Sequence, residues 1–161
     1  FVAQTQSYGP EARGGSSKAE VVVSDREIDY PKALQLDLLV AMNQRSCDEY
    51  YMDLKPDGIL VVDSTLVKQV PLSRAHRIPF TRIAREELNR EMVANIVALG
   101  ALSRLTPIVS ARAVESAVLG RVPKGTEKLN REALQAGMRA ARKTKKIRFP
   151  EAISELVDED T

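Results

Sequence analysis

The stretch QTQSYGPEARGGSSKAEVVVSD, residues 4–25, decides how the first part of the chain folds. Residues 1–5 mix β-branched and aromatic side chains, and three consecutive valines at residues 21–23 mark a second extended segment. Gly9-Pro10 and Gly14-Gly15 lie between them and permit tight turns. The stretch therefore predicts two strands joined by a loop, and that loop is more polar and more flexible than a bare connection requires.

Downstream of this stretch, strand and helix patterns alternate in short units. DLLVAM, residues 37–42, carries a short continuous apolar run, as in a strand buried on both faces, and ILVVDS, residues 59–64, is the clearest buried strand of all. A helix is predicted over residues 45–54 and ends at the KPDG turn, and a short strand over residues 76–80 precedes a helix that begins at Arg82. This order predicts an α/β fold, a three-layer Rossmann-like, mainly parallel sheet with helices on both faces.

The C-terminal half is predicted to be helical. Residues 91–105 are apolar nearly all round, which indicates a buried helix in which Gly100 allows close packing. Ser110 is placed to cap the next helix, and residues 126–143 form an amphipathic one. We expect one domain over residues 1–143 and a charged tail over residues 144–161.

The composition excludes several functional classes. The formal net charge of +2 over 161 residues argues against a protein dedicated to nucleic acid, and no apolar run is long enough to span a membrane. The single cysteine, Cys47, fits a reducing cytoplasmic compartment and cannot alone hold an iron–sulfur cluster. With His76 as the one histidine, a multi-histidine metal site is excluded, and both residues are given structural roles.

The glycine-rich loop is the strongest candidate for ligand chemistry. Consecutive backbone N–H groups in such a loop can form a nest for phosphate or carboxylate oxygens, and Arg13 adds a charged fork. Because the loop follows a strand, we expect it at the carboxyl edge of the parallel sheet, where α/β proteins bind ligands. The alternative is a plain turn in which Glu11 and Arg13 pair with each other or with neighbours. No catalytic residue is predicted.

The same loop carries a family resemblance. QSYGPEARGGSSKAEVVVSDREIDYP, followed by DLLVAMNQ, LKPDGILVVDS, IAREELN, VANIVALGAL and VPKGTEKLN, resembles the gamma subunit of 2-oxoacid:ferredoxin oxidoreductases over residues 1 to about 137. The variant YGPEARGG is more similar to the 2-oxoglutarate branch than to the pyruvate branch. The family's module opens with a strand and a GxGGQG turn that this sequence lacks, so we expect that upstream residues precede it. The resemblance makes the loop a candidate coenzyme A contact, through residues Gln6, Ser7, Tyr8, Gly9, Glu11, Arg13, Gly14 and Gly15.

The resemblance also implies a reaction and a set of partners. The reaction is oxidative decarboxylation of a 2-oxoacid with coenzyme A, which gives acyl-CoA and reduces ferredoxin, as in anaerobic metabolism. Thiamine diphosphate, magnesium and iron–sulfur clusters are expected on the partner alpha and beta subunits and on a ferredoxin-like subunit, with none held by this chain alone. Two alternatives stay open: a purely structural assembly subunit without a ligand site, and a stand-alone nucleotide-binding module.

Overall fold

A computed structural model of the chain describes residues 1–8, 17–71 and 73–144. The strands are β1 (Val2–Tyr8), β2 (Ser17–Val23), β3 (Leu36–Ala41), β4 (Leu54–Asp63) and β5 (His76–Ile78). The helices are α1 (Gln44–Tyr50), α2 (Phe80–Glu86), α3 (Ala94–Leu105), α4 (Ala111–Leu119) and α5 (Glu127–Ala141). Single 3₁₀ turns at Tyr51–Asp53 and Glu91–Val93 precede β4 and α3. The charged tail predicted from residue 144 lies outside the described residues after Thr144.

A parallel sheet of β3, β4 and β5, in that order, forms the centre of the fold. β4 is central and ends in the run Val61, Val62 and Asp63, which is buried throughout. Its side chains alternate between two hydrophobic clusters, as a strand covered on both faces requires. Val61 packs with α2, α3 and α5, whereas Leu60 and Val62 pack with Cys47 of α1. The predicted α/β class, with helices on both faces of a parallel sheet, is confirmed.

β1 and β2 form an antiparallel hairpin that is separate from the parallel sheet. Their pairing runs in register from Val2 opposite Val23 to Tyr8 opposite Ser17. None of residues 1–7 and 17–40 is buried, so the hairpin contributes nothing to the hydrophobic clusters of the described residues. The two strands were predicted correctly. The loop was expected to follow a strand of the parallel sheet, but β1 pairs only with β2 in the described residues, and the loop itself lies outside them.

Three local predictions need correction. The KPDG segment lies inside β4, where Leu36 pairs with Leu54 but Leu38 pairs with Ile59, so the extra residues bulge out of the ladder. α2 begins at Phe80, and Thr81 therefore sits in its first turn and does not precede it. The segment predicted to be buried on all sides is not: Leu99 of α3 is 36% exposed, and Met92 in the turn before α3 is 81% exposed. The Ser110 cap is confirmed, because its hydroxyl accepts a hydrogen bond from the Ala113 N–H.

Two glycines let α3 and α5 approach each other until their backbones touch. A methyl group at Gly100 of α3 would lie 2.1 Å from the carbonyl oxygen of Leu134 on α5. A methyl group at Gly137 of α5 would lie 1.9 Å from the carbonyl oxygen of Val97 on α3. Neither backbone can yield without separating the helices. The close packing predicted for Gly100 is confirmed, and its counterpart Gly137 was not identified from the sequence.

We expect Gly100→Ala to lower the free energy of unfolding by about 3 kcal/mol or more, because the added methyl must push α3 and α5 apart. Gly120→Ala is the matched control, since its methyl would come no closer than 3.4 Å to any neighbour. Gly120 has a right-handed φ of −75°, so this change should leave stability unchanged or raise it by up to about 1 kcal/mol. Urea unfolding of both variants measures the difference, and equal stability of Gly100→Ala and wild type would contradict the close contact.

Candidate functional site

The carboxyl edge of the parallel sheet is occupied by a buried carboxylate of the protein itself. Asp63, the last residue of β4, is 0% exposed. Its Oδ2 accepts hydrogen bonds from the N–H and the hydroxyl of Thr81 at the start of α2, with the N–H donor at 3.0 Å. Its Oδ1 accepts from the Thr65 N–H at 2.9 Å. The first turn of α2 is therefore already hydrogen-bonded to a side chain of the protein, through Thr81.

At the edge beside β3, the side chains of Asn43 and Gln44 likewise accept hydrogen bonds from backbone N–H groups. Asn43 caps α1 by accepting a hydrogen bond from the Ser46 N–H at 2.8 Å. The side-chain oxygen of Gln44 accepts from the N–H groups of Lys68 and Gln69, and its amide donates to Asp48 and to the carbonyl of Gln69. These contacts satisfy the backbone donors that a phosphate would otherwise bind. At this edge the N–H groups of Ser46, Lys68 and Gln69 are therefore already paired within the protein.

Three of the eight site residues predicted from the sequence lie in the described part of the chain, and five lie outside it. Gln6, Ser7 and Tyr8 lie on the last part of β1. Gly9, Glu11, Arg13, Gly14 and Gly15 lie outside the described residues. In the strand register Tyr8 lies opposite Ser17 and Ser7 lies opposite Lys18. The residues that flank the segment 9–16 therefore lie side by side.

The structure also brings together a polar cluster that sequence reasoning missed. On one face of the hairpin, the Thr5 hydroxyl donates to Glu20 Oε2 at 2.9 Å, and Lys18 Nζ donates to Glu20 Oε1 at 3.1 Å. Lys18 Nζ also lies 5.1 Å from the centroid of the Tyr50 ring at the end of α1, a cation–π distance. The available signal was the period-two spacing of Thr5 with Ser7 and of Lys18 with Glu20, which puts them on one face.

The pKa values of this cluster move in the directions that favour the ion pair. The hydrogen bond to Glu20 raises the pKa of Lys18, against the opposing effect of partial burial. Burial alone would raise the pKa of the Glu20 carboxyl, but the hydrogen bonds from Lys18 and Thr5 leave it below its ordinary value. The pair is therefore charged at neutral pH. Its contribution to stability is present above the ordinary pKa of a glutamate and is lost as pH falls through the lowered one.

Cys47 and His76 have surroundings that suit structural roles. Cys47 is buried in the cluster between α1 and the sheet, and burial raises the pKa of its thiol. His76 opens β5, and burial lowers the pKa of its imidazole. Among the residues that the structure describes, no group of three or more histidine, cysteine, aspartate or glutamate side chains could hold a metal ion. Within the same residues no helix has the length and apolar character that crossing a membrane demands.

Comparison with known proteins identifies the family. The model of the pyruvate ferredoxin/flavodoxin oxidoreductase family matches residues 1–140. The chain belongs to this family. It is 51% identical over 143 residues to the 2-oxoglutarate synthase subunit KorC of Methanocaldococcus jannaschii. The aligned region covers 86% of this chain and 76% of that protein. The resemblance to a gamma subunit drawn from the sequence motifs is thereby confirmed.

Two solved structures share the fold. The gamma subunit of a keto/oxoacid ferredoxin oxidoreductase from Geobacter sulfurreducens superposes with a TM-score of 0.76 at 46% identity, over 89% of this chain and 81% of that one. The 2-oxoglutarate:ferredoxin oxidoreductase of Magnetococcus marinus, with 2-oxoglutarate, coenzyme A and succinyl-CoA bound, also gives a TM-score of 0.76, at 25% identity. In that case 91% of this chain corresponds to 26% of a longer chain. The same fold thus occurs there as one part of a larger polypeptide.

We expect Asp63→Asn to lower the free energy of unfolding by about 2–3 kcal/mol, because an amide group can no longer accept from the donors on both sides of the carboxylate. Asp57→Asn, at an exposed position on the β4 bulge, is the control and should change stability by less than about 0.5 kcal/mol. Thermal unfolding of both variants tests this. If Asp63→Asn were as stable as the control, the carboxylate would not be organising this edge.

Proposed function

We propose that this chain is the gamma subunit of a multi-subunit 2-oxoglutarate:ferredoxin oxidoreductase. The complex converts 2-oxoglutarate and coenzyme A to succinyl-CoA and carbon dioxide and passes two electrons to ferredoxin. The observation that carries the proposal is the high identity to a 2-oxoglutarate synthase subunit over most of both chains. The Magnetococcus marinus enzyme, named with the same substrate and with coenzyme A, supports the choice of 2-oxoacid. The stand-alone nucleotide-binding alternative is set aside on the same grounds.

The residues of this chain favour a division of labour in which partner subunits supply the redox chemistry. An iron–sulfur cluster needs several thiolates, and this chain has one cysteine, Cys47 of α1, whose side chain is buried against the sheet. The Pro56-Asp57-Gly58 segment is the nearest likeness to a thiamine diphosphate motif. It lies in the bulge near the start of β4, at the opposite end of the strand from the carboxyl edge. Thiamine diphosphate, magnesium and the clusters therefore belong to the alpha, beta and ferredoxin-like subunits of a cytoplasmic complex.

The segment between β1 and β2 is the candidate coenzyme A contact. The carboxyl edge of the parallel sheet is held by Asp63, Asn43 and Gln44, so it has few free backbone donors for a phosphate. The hairpin brings its two ends together without using them in the hydrophobic clusters. Backbone N–H groups at the glycines, with the guanidinium of Arg13, have the chemistry that coenzyme A phosphates require.

We expect Arg13→Ala to raise the KM for coenzyme A about tenfold or more in the assembled enzyme, because a charge-assisted hydrogen bond to phosphate would be lost. The KM for 2-oxoglutarate should stay within about twofold of wild type, since the change leaves that substrate's contacts intact. Steady-state kinetics with each substrate varied in turn measures both constants.

Arg26→Ala is the matched control for this measurement. The Arg26 side chain is exposed, and its one ion pair among the described residues is a long one, 3.9 Å to the neighbouring Asp25. It should leave both constants unchanged. An Arg13→Ala enzyme that assembles normally and keeps its KM for coenzyme A would overturn the ligand assignment.

A second role, subunit contact through the hairpin, is favoured by a specific observation. Val2, Val21 and Val23 project from one face of the hairpin and are 50–70% exposed. A two-stranded hairpin is marginally stable in water unless one face is covered. The exposed valines are therefore suited to a contact with a neighbouring subunit, in addition to the ligand role of the loop.

Affinity capture of the tagged chain tests the function and this second role together. Wild type should retain two large chains and a small iron–sulfur chain, with thiamine diphosphate and iron present in the captured complex and absent from the isolated chain. If the valine face is an interface, Val21→Lys should reduce capture of partners at least about tenfold, because a charge would enter an apolar contact. Met52→Lys, at another exposed apolar side chain, is the control. Capture without any thiamine diphosphate chain would contradict the proposed function.

A further inference from the structure

The loop that follows the central strand is basic. Between Ser64 and Arg85 the sequence has lysine and arginine but no aspartate or glutamate. Three exposed cations of this segment, Lys68, Arg77 and Arg82, surround residues 64–68 at the carboxyl edge of the sheet. Lys68 Nζ donates to the Ser64 carbonyl at 3.3 Å, and Arg77 Nη2 lies 3.4 Å from the Lys68 carbonyl. The Arg82 N–H donates to the Thr65 hydroxyl at 3.1 Å. We call Lys68, Arg77 and Arg82 the basic loop surface.

The charges of the basic loop surface have no carboxylate partner in the described part of the chain. Lys55, by comparison, lies 2.6 Å from the carboxylate of Asp37. Within residues 1–8, 17–71 and 73–144, no ion pair includes Lys68, Arg77 or Arg82. Cations that border one loop repel each other, and carboxylates from a second molecule would relieve that repulsion.

Two acidic residues belong to the same edge of the sheet and leave the basic loop surface unpaired. Asp63 is 0% exposed and accepts hydrogen bonds from Thr65 and Thr81. Asp48 accepts from the side-chain amide of Gln44 at 2.8 Å. The exposed part of the loop therefore presents an excess of positive charge.

Gln44, the first residue of α1, holds this loop in one conformation. Its side-chain oxygen accepts from the N–H groups of Lys68 at 2.9 Å and Gln69 at 3.0 Å, and its amide donates to the Gln69 carbonyl at 2.8 Å. From β5, Arg77 donates to the carbonyls of Val67 and Lys68. The loop is thus ordered before any partner arrives, so binding does not have to include the entropic cost of ordering it.

The composition of the loop favours a protein partner over a nucleic acid. Leu66, which lies among these cations in the sequence, is 42% exposed, and apolar groups beside arginine are typical of protein interfaces. The only phenylalanine, tyrosine or tryptophan between Ser64 and Arg85 is Phe80, which is 0% exposed, so none of these rings is available for stacking on bases. The matching partner is a protein surface rich in aspartate and glutamate.

We propose that the basic loop surface is a docking surface for an acidic face of a partner subunit of the oxidoreductase complex. This inference rests on the proposed function. Arginine guanidinium groups bind carboxylates through two parallel hydrogen bonds, whereas the lysine ammonium acts as a point charge. Charged contacts of this kind accelerate and orient the encounter of two proteins. The basic loop surface thus differs in chemistry from the exposed valines of the hairpin.

The first test measures how fast the full chain binds its partner subunits, which are purified together without it. The double variant Lys68→Glu with Arg82→Glu should associate about tenfold or more slowly than wild type at about 0.1 M salt. This difference should shrink towards about 1 M salt, where the screening length is about 3 Å.

The matched control is the double variant Arg112→Glu with Lys124→Glu, which makes the same change in net charge at exposed residues on and after α4. Its association rate should stay within about twofold of wild type. Equal slowing in the two double variants would show an effect of net charge alone and would overturn the proposal.

Gln44→Met keeps every charge but removes the bonds that hold the loop. It should speed dissociation from the partner subunits about threefold or more and leave the salt dependence of association as in wild type. If Gln44→Met abolished that salt dependence, loop order and not charge would explain the first result, and the docking role would be wrong.

Carbodiimide coupling of the assembled wild-type complex gives a readout that needs no variant, because it joins an amine to a carboxyl group in contact with it. Mass spectrometry should find Lys68 linked to an aspartate or glutamate of a partner subunit. A link between Lys55 and Asp37 serves as the internal control, since Nζ and Oδ1 are 2.6 Å apart. The control link without any link from Lys68 to a partner would contradict the docking surface.

The identity of the linked chain separates this inference from the proposed function. If Lys68 is linked to a chain of a complex without thiamine diphosphate and iron, the docking surface stands and the proposed function fails. If the complex contains both but Lys68 is not linked and the Lys68→Glu, Arg82→Glu variant associates like wild type, the function stands and the docking surface fails. Binding of RNA that this double variant loses, without a link from Lys68 to a protein, would assign the surface to nucleic acid and overturn the proposal.

Discussion

The fold depends on the burial of one carboxylate, Asp63, at the end of the central strand. A buried charge is stable only when donors surround it, and here the donors come from Thr65 and from the first turn of α2. This requirement fixes where the chain can go after β4 and where α2 can begin. It also places a carboxyl group of the protein where many α/β proteins hold the phosphate of a ligand. The carboxyl end of the central strand, where α/β proteins commonly bind ligands, is thus occupied by a side chain that stabilises the fold.

The consequence is that the residues that stabilise the fold and those of the proposed ligand contact are separated along the chain. The buried clusters begin at Ala41 and draw on β3 to β5 and on the helices, with α3 and α5 locked by Gly100 and Gly137. Residues 1–7 and 17–40 are all at least partly exposed. A segment that does not pack in the hydrophobic clusters is free to have a sequence and conformation that suit a binding partner. This freedom suits the hairpin both to a coenzyme contact and to a subunit contact.

The sequence was informative wherever the deciding interaction is local or repeats with a fixed period. The apolar run of β4 predicted a strand buried on both faces. Ser110 predicted a helix cap, and its hydrogen-bond partner Ala113 is three residues away. Sequence patterns failed where the partner is distant. No pattern near β1 indicates that, among the described residues, it pairs only with β2, and no pattern near Gly137 indicates that Val97 will lie against it. The KPDG segment was predicted as a turn that ends a helix, and only the register with β3 shows that it is a bulge within a strand.

The polar cluster of the hairpin shows why a site can escape a motif search. Glu20 joins residues fifteen and two positions away, and its meaning arises only when β1 and β2 pair and Tyr50 arrives from α1. Such a contact has no fixed spacing, because its geometry comes from the tertiary fold. A subunit with one cysteine and one histidine has little chemistry of its own to contribute. The contacts of Glu20 with Thr5 and of Lys18 with Tyr50 therefore had to be found in the folded chain, where residues from β1, β2 and α1 meet.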